Sequence, residues 1–349
     1  MNRTGPQKTD PSALKKILLV RLRRIGDIVM TTPAVRALRL ALPEARIAYV
    51  VESPYRKLVQ GHPDIDDPVV LSPRIGTFGF LRFLWRIRRE RYDLVIDFHG
   101  GPRASLLTWL SRAELKIGYR IRYRNFMYDT ALPRKPERGH FHSVENHLNL
   151  VRALGIPVPS ALPLCLPEAS ADEKHRVTSL LEKNVPKGQG FVVLHIGAGN
   201  AFRDWGSENI LELLRLFERP RVPVALAGGP EDAASEARIL KASSGHVFSC
   251  VGRLNLRELR ELIRRASVYV GPDSGPMHIA ASTATPIVAL FGPTLPAHFA
   301  PWQAEAVLIE RDMDCRPCRQ KKCVYQDFRC LRSLRPEDVF EACARFLCI

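Results

Sequence analysis

Short apolar runs recur along this chain, each closed by glycine, proline or a polar residue and followed by a stretch with helical spacing. KKILLVRL (15–22) leads into RRIGDIV and the helical pattern TTPAVRALRLALP, and ARIAYVVE (45–52) and RYDLVIDFHG (91–100) repeat the theme. The proline-rich stretch IPVPSALPLCLPEAS (156–170) interrupts it. Then it restarts with FVVLHIGAGN (191–200), VPVALAGGPED (222–232), HVFSCVG (246–252), SVYVGPDSG (267–275) and PIVALFGPT (286–294). Strands alternating with helices define a parallel, doubly wound α/β sheet. A restart after a linker predicts two Rossmann-like domains, 1–165 and 166–334, facing across a cleft between their carboxyl edges, where open α/β sheets bind ligands.

The chain can supply two such cores. Its 349 residues, 46% hydrophobic and 25% charged, describe a globular protein of two ordinary domains. No apolar run approaches the roughly 20 residues of a membrane span, and the N-terminus MNRTGPQKTDPSALKK lacks the apolar core of a signal peptide, so a cytoplasmic location is expected. The net charge of +16 is uneven: residues 1–165 hold 28 Lys/Arg against 14 Asp/Glu, residues 166–349 hold 24 against 22. That excess favours a polyanionic partner: a nucleic acid, an anionic membrane or a phosphorylated substrate. No recognition helix or RNP motif is present, so nucleic acid is not expected.

The chemistry-bearing residues gather at strand-to-helix turns. In YVGPDSGPMHIAAS (269–282), Asp273 or Ser274 as cap, Gly275 for close approach and Pro276 at the first helical position can form either an anion cradle or an ordinary capped turn. Asp27, after Gly26, can act as a general base or as a helix cap, and spacing alone favours the cap. Arg103 and Ser105 occupy another turn, and Arg120, Arg122, Arg124, Arg134, Lys135, Arg138, His140 and His142 crowd one loop-like region suited to phosphate or carboxylate. FGFLRFLWRIRRERYD (78–93) puts Phe80, Phe83, Leu84 and Ile87 on one helical face and Arg82, Arg86 and Arg89 on another. Its ordinary reading is a helix packed on the sheet, with contact to anionic headgroups through the arginines as an addition. Cys315, Cys318, Cys323 and Cys330 have a spacing that suits a structural zinc or a loop of reduced thiols. No dinucleotide fingerprint or P-loop occurs, and Asp64/Asp66 and Asp312/Asp314 read as surface loops.

Taken together, KILLVRLRRIGDIVMTTPAVRALR, DLVIDFHGGPRAS, DSGPMHIAA with the downstream FGPTLPAHFAPW, and CRPCRQKKCVYQDFRCLRSLRPEDV resemble the ADP-heptose lipopolysaccharide heptosyltransferases of glycosyltransferase family 9, from about residue 15 onward. The resemblance implies a GT-B fold and inverting transfer of L-glycero-D-manno-heptose from ADP-heptose to an inner-core lipopolysaccharide acceptor, Kdo or heptose, with no cofactor or catalytic metal required. A related transferase or epimerase using another nucleotide sugar is the competing reading. Asp27 is implied as the base, and His195, Gly197, Asp273, Ser274, Gly275, Pro276 and His278 as the donor site. Where the family usually has a lysine before Trp-Pro, this chain has Arg203-Asp204-Trp205-Gly206, so Arg203 takes the catalytic cation's place. Arg103, Arg120, Arg122, Lys135 and His142 are the expected acceptor surface, and a basic first domain would hold the protein at the anionic cytoplasmic face of the inner membrane. The C-terminal helix, 335–349, is expected to cross back to the first domain.

Overall fold

The computed structural model describes residues 11–134, 141–197 and 199–347. The chain divides into two compact units, Met1–Pro167 and Glu168–Ile349. The first unit holds β1 (Lys16–Val20), β2 (Arg46–Glu52), β3 (Asp67–Leu71), β4 (Leu94–Asp97), β5 (Leu115–Tyr119) and β6 (Thr130–Leu132), in the order β3-β2-β1-β4-β5-β6. The second holds β7 (Val192–His195), β8 (Val224–Ala227), β9 (Val247–Ser249), β10 (Val268–Pro272), β11 (Ile287–Phe291) and β12 (Ala306–Glu310), in the order β12-β11-β10-β7-β8-β9. Counted from each unit's first strand, the two orders are the same: 3-2-1-4-5-6. All pairings are parallel, and helices cover both faces of each sheet.

Burial explains the sequence pattern. The central strands ILLV of β1 and VVLH of β7 are buried along their length, as strands sandwiched between two helical layers must be. The expected strands nearest the centre are all present. Strands β3, β5, β6 and β12, which the apolar runs do not announce, lie toward the sheet edges and are only partly buried. With less surface to hide, their sequences carry less apolar signal.

The helices Thr77–Glu90 and Pro102–Leu110 follow strands added in one direction, so right-handed crossovers place them on one face of the first sheet. There Phe83, Leu84, Ile87, Ala104 and Leu107 meet Leu18, Val20, Val50 and Val95. The expected core face of the first of these helices is thus observed, with Phe80 half-buried beneath the Arg103 guanidinium.

No regular element lies between Arg152 and Ala171, and the division into two units falls within this proline-rich stretch, after Pro167. The C-terminal helix, Pro336–Leu347, packs within the second unit. Val339, Ala342 and Cys343 are built into the second unit's own core, and Phe340 stacks on Phe217 of the helix Ser207–Glu218 with centroids 5.3 Å apart. Its apolar stripe is satisfied where the chain already is.

Candidate active site

Each sheet reverses direction between its first and fourth strands, and an open α/β sheet forms its binding crevice at that point. Polar residues collect there in both units.

In the first unit, β1 runs into Arg21, which is buried although charged. Its Nη1 donates to the Phe98 carbonyl at 2.6 Å and its Nη2 pairs with the Asp27 carboxylate. Arg24 takes a left-handed φ of 72° and turns the chain into the helix Ile25–Val29. Asp27 therefore lies inside the first turn, and the cap position belongs to Arg24, which makes no side-chain cap. The cap reading of Asp27 is excluded. Its side chain is 30% exposed while that of Arg21 is 4% exposed, so a buried cation holds a carboxylate that solvent or substrate can reach.

Across the crevice, Asp97 ends β4, fully buried. Its Oδ1 accepts the backbone N–H groups of His99 and Gly100, both at 2.8 Å, and its Oδ2 accepts the Tyr128 hydroxyl at 2.6 Å. Ser105 lies 2.7 Å from the same hydroxyl and receives Arg124 Nη1 at 3.1 Å. Burial pushes the Asp97 carboxyl up, and these hydrogen bonds oppose it. His99 is pushed down to about 4 by burial and by Arg21 and Arg23, so its imidazole is neutral near pH 7. Arg21, Asp97, His99 and Tyr128 were not singled out from sequence. Only the acid closing the apolar run of β4 signalled any of them.

The expected acceptor residues are scattered in role. Arg103 braces the fold: it donates to the carbonyls of Pro73 and Ile75 at 3.3 and 3.4 Å, lies 3.5 Å from Glu52 and covers Phe80. Arg120 and Arg122 are exposed, the latter over the Tyr123 ring. His142 Nδ1 accepts the Val144 N–H and so caps the helix Ser143–Arg152. Lys135, Arg138 and His140 lie outside the described residues. Asp64, read as a surface residue, is buried and paired with Arg36 at 2.6 Å.

In the second unit, the Asp273–Ser274 turn closes β10 and begins the helix Gly275–Ala280. Asp273 Oδ2 accepts the Thr294 hydroxyl at 2.6 Å, and Arg203 Nη1 donates to the Asp273 carbonyl at 2.6 Å and lies 3.7 Å from its carboxylate. His278 Nε2 lies 3.9 Å from the other oxygen. Arg203 is held from its far side by Gln320, 3.2 Å from Nε, while Trp205 anchors its loop through a 3.1 Å bond from Nε1 to the Leu334 carbonyl. Ser274 occupies the cap position without capping. Its buried hydroxyl faces that of Tyr269 but closes no hydrogen bond with it, and Nδ1 of buried His195 on β7 also lacks a partner. Burial pushes His195 down to about 4. At Gly197 a Cβ would meet the Asp232 carboxylate at 1.9 Å, so any larger residue there would have to displace that side chain. The structure thus gathers His195, Gly197, Arg203, Asp273, Ser274 and His278 at one sheet edge, with Thr294 as a member the sequence did not announce.

The cysteine loop sits apart in character. Cys315, Cys318, Cys323 and Cys330 are free, half-buried thiols in a stretch largely without regular structure, and burial together with the neighbouring thiols raises Cys330. Among the described residues, no group of three or more His, Cys, Asp or Glu is placed to hold a metal ion. The four thiols are not gathered as a zinc site would need, zinc being one of the two readings their spacing allows.

Two parallel sheets of this order, each with helices and a switch point of its own, make a fold of the GT-B type. Residues 80–328 match glycosyltransferase family 9 (heptosyltransferase), and the chain belongs to that family. Lipopolysaccharide heptosyltransferase 3 of Escherichia coli is 25% identical over 321 residues, 87% of this chain and 92% of the relative. Among solved structures, a family 9 glycosyl transferase from Veillonella parvula superposes with a TM-score of 0.85 at 22% identity, covering 96% of this chain and 97% of its own. The E. coli ADP-heptose lipopolysaccharide heptosyltransferase II gives 0.79 at 21% identity, covering 95% and 98%.

Proposed function

We propose that this heptosyltransferase moves L-glycero-D-manno-heptose from ADP-heptose to a sugar hydroxyl of the lipopolysaccharide inner core, with inversion at the anomeric carbon. The donor is held by the second unit and the acceptor by the first. The acceptor oxygen bonds to C1 of the heptose, its proton passes to the Asp27 carboxylate, and the C1–O bond to the diphosphate breaks with its electron pair leaving on ADP. One base and no covalent nucleophile are required. Arg203 supplies positive charge to the departing diphosphate, and the Ser274 hydroxyl and His195 imidazole supply hydrogen-bonding groups around it.

The observation that carries this reading is the buried, unpartnered Ser274 hydroxyl beside an aspartate already engaged by Arg203 and Thr294. Buried hydroxyls are rarely left unsatisfied, and a ligand oxygen at this turn would complete the set. The names of the E. coli relatives support the donor and the acceptor class. A first unit carrying most of the excess charge suits an acceptor with Kdo carboxylates and lipid A phosphates on an anionic membrane face; no helix among the described residues is long and apolar enough to cross that membrane.

The test is ADP release from ADP-heptose with a panel of truncated lipopolysaccharides. Release that depends on one acceptor and falls by roughly 10²–10⁴ in Asp27→Ala supports the reading, since that is the usual worth of a general base. Folded protein that releases ADP with no acceptor, but turns over another nucleotide sugar, overturns it.

A further inference from the structure

The helix Thr77–Glu90 has two apolar faces where a helix on a sheet needs one. Phe83, Leu84 and Ile87 are buried against β1, β2 and β4. Phe78, Leu81 and Trp85, spaced i, i+3 and i+7, form a second stripe and are 89%, 54% and 58% exposed. Single exposed apolar residues are ordinary, but three large ones aligned on one helix face mark a surface that something covers.

Charge identifies what covers it. Arg82, Arg86 and Arg89 are exposed and interleave with the stripe, and the Arg89 guanidinium lies 4.5 Å over the Trp85 ring. The helix carries four arginines against one acid, Glu90, and that acid lies 3.9 Å from Lys16. Arg82 and Arg86 make no ion pair among the described residues. The next helix on the same side of the sheet presents Trp109, 43% exposed and stacked edge-on to Phe126 at 5.8 Å. Aromatic and leucine side chains set among unpaired arginines match the boundary between headgroups and acyl chains of an anionic bilayer.

We propose that the Phe78/Leu81/Trp85 stripe and its arginines dock the first unit onto an anionic lipid surface. The inference rests on the proposed reading in one respect: a membrane-borne acceptor gives the docking its use.

The test is flotation of the full chain with vesicles of phosphatidylcholine, with and without phosphatidylglycerol, alongside sedimentation velocity and transfer to a deacylated, water-soluble acceptor. Wild type is expected to float with the anionic vesicles and to be released progressively by salt. Phe78→Ser/Leu81→Ser/Trp85→Ser should weaken binding about tenfold or more, and Arg82→Glu/Arg86→Glu should abolish the preference for anionic lipid, at roughly fivefold per lost arginine. Both variants should keep the wild-type circular dichroism spectrum and transfer to the soluble acceptor. Wild type that does not float, or variants that float as well as wild type, overturns the proposal. So does a wild-type dimer that the stripe substitutions turn into monomer with no change in flotation, because the stripe would then cover itself. Flotation that behaves as expected while no acceptor is glycosylated leaves docking supported and the proposed reaction overturned.

Discussion

The two units share a strand order, so their switch points can be compared place by place. In each, an aspartate closes or follows the fourth strand: Asp97 at the end of β4 and Asp273 after β10. Asp97 is fully engaged inside its own unit, by two backbone N–H groups and a tyrosine hydroxyl, with no cation in hydrogen-bond contact. Asp273 is held by one hydroxyl and leans on Arg203, beside a serine whose buried hydroxyl closes no hydrogen bond. The same place in the fold is thus built as a brace in one unit and as an opening in the other. In the first unit the reachable carboxylate moved to the first strand's turn, where Asp27 is steadied by buried Arg21.

The sharpest way to break this comparison is to remove each aspartate. Asp97→Ala leaves the His99 and Gly100 N–H groups without their acceptor and the Tyr128 hydroxyl with Ser105 alone, and should cost the first unit about 3 kcal/mol in denaturant unfolding. Asp273→Ala should unfold nearly as wild type does while the Michaelis constant for the donor rises roughly tenfold. Equal stability losses in both would show that both aspartates are braces.

A smaller effect uses one buried imidazole from each unit, His147 and His195. His195 is held down to about 4 by burial, and its unfolded value is 6.5. Between those values the unfolded chain binds a proton that the native state refuses, so stability falls as pH falls through this window, by at most about 1.4 kcal/mol per pH unit. His195→Gln should flatten that acid limb for the second unit alone. The first unit should keep its own limb, because His147, 2.7 Å from the Tyr119 hydroxyl, is also lowered by burial. Acid unfolding followed separately in each unit decides it.

The smallest effect concerns how Arg203 is carried. Trp205→Phe removes the bond to the Leu334 carbonyl and should cost about 1 kcal/mol, with a modest fall in turnover as the Arg203 loop loosens. A stability loss with unchanged turnover would separate the anchor from the site.

How much of this was legible beforehand follows from burial. The central strands were readable because two covered faces demand unbroken apolar runs, whereas DPVVL of β3 and TAL of β6 are half-covered and look like loop. The Asp273–Ser274 turn was readable because its polar residues interrupt an apolar strand within a few positions. Arg21 was not, since nothing local says that an arginine after a strand will be buried, and its partners Asp27 and Phe98 come from two different turns. The Asp97 network was hidden for the same reason: Tyr128 lies far along the chain, and only the sheet brings it near. The exposed stripe could be recognised only once the opposite face of its helix was known to be filled.

The shared strand order also governs how the chain becomes folded. In each sheet the first strand sits at the centre and pairs with the fourth, Val20 lying opposite Asp97 and Val192 opposite Val268. The central first strand of each half is therefore made early and finished late, waiting through three α-helices and two further strands for its second neighbour. Such non-local pairing folds slowly and leaves an apolar edge open during synthesis. Because the two halves pair only within themselves, the first can close its sheet while the second is still being made, and the aggregation-prone interval is served twice in succession and never by the whole chain at once.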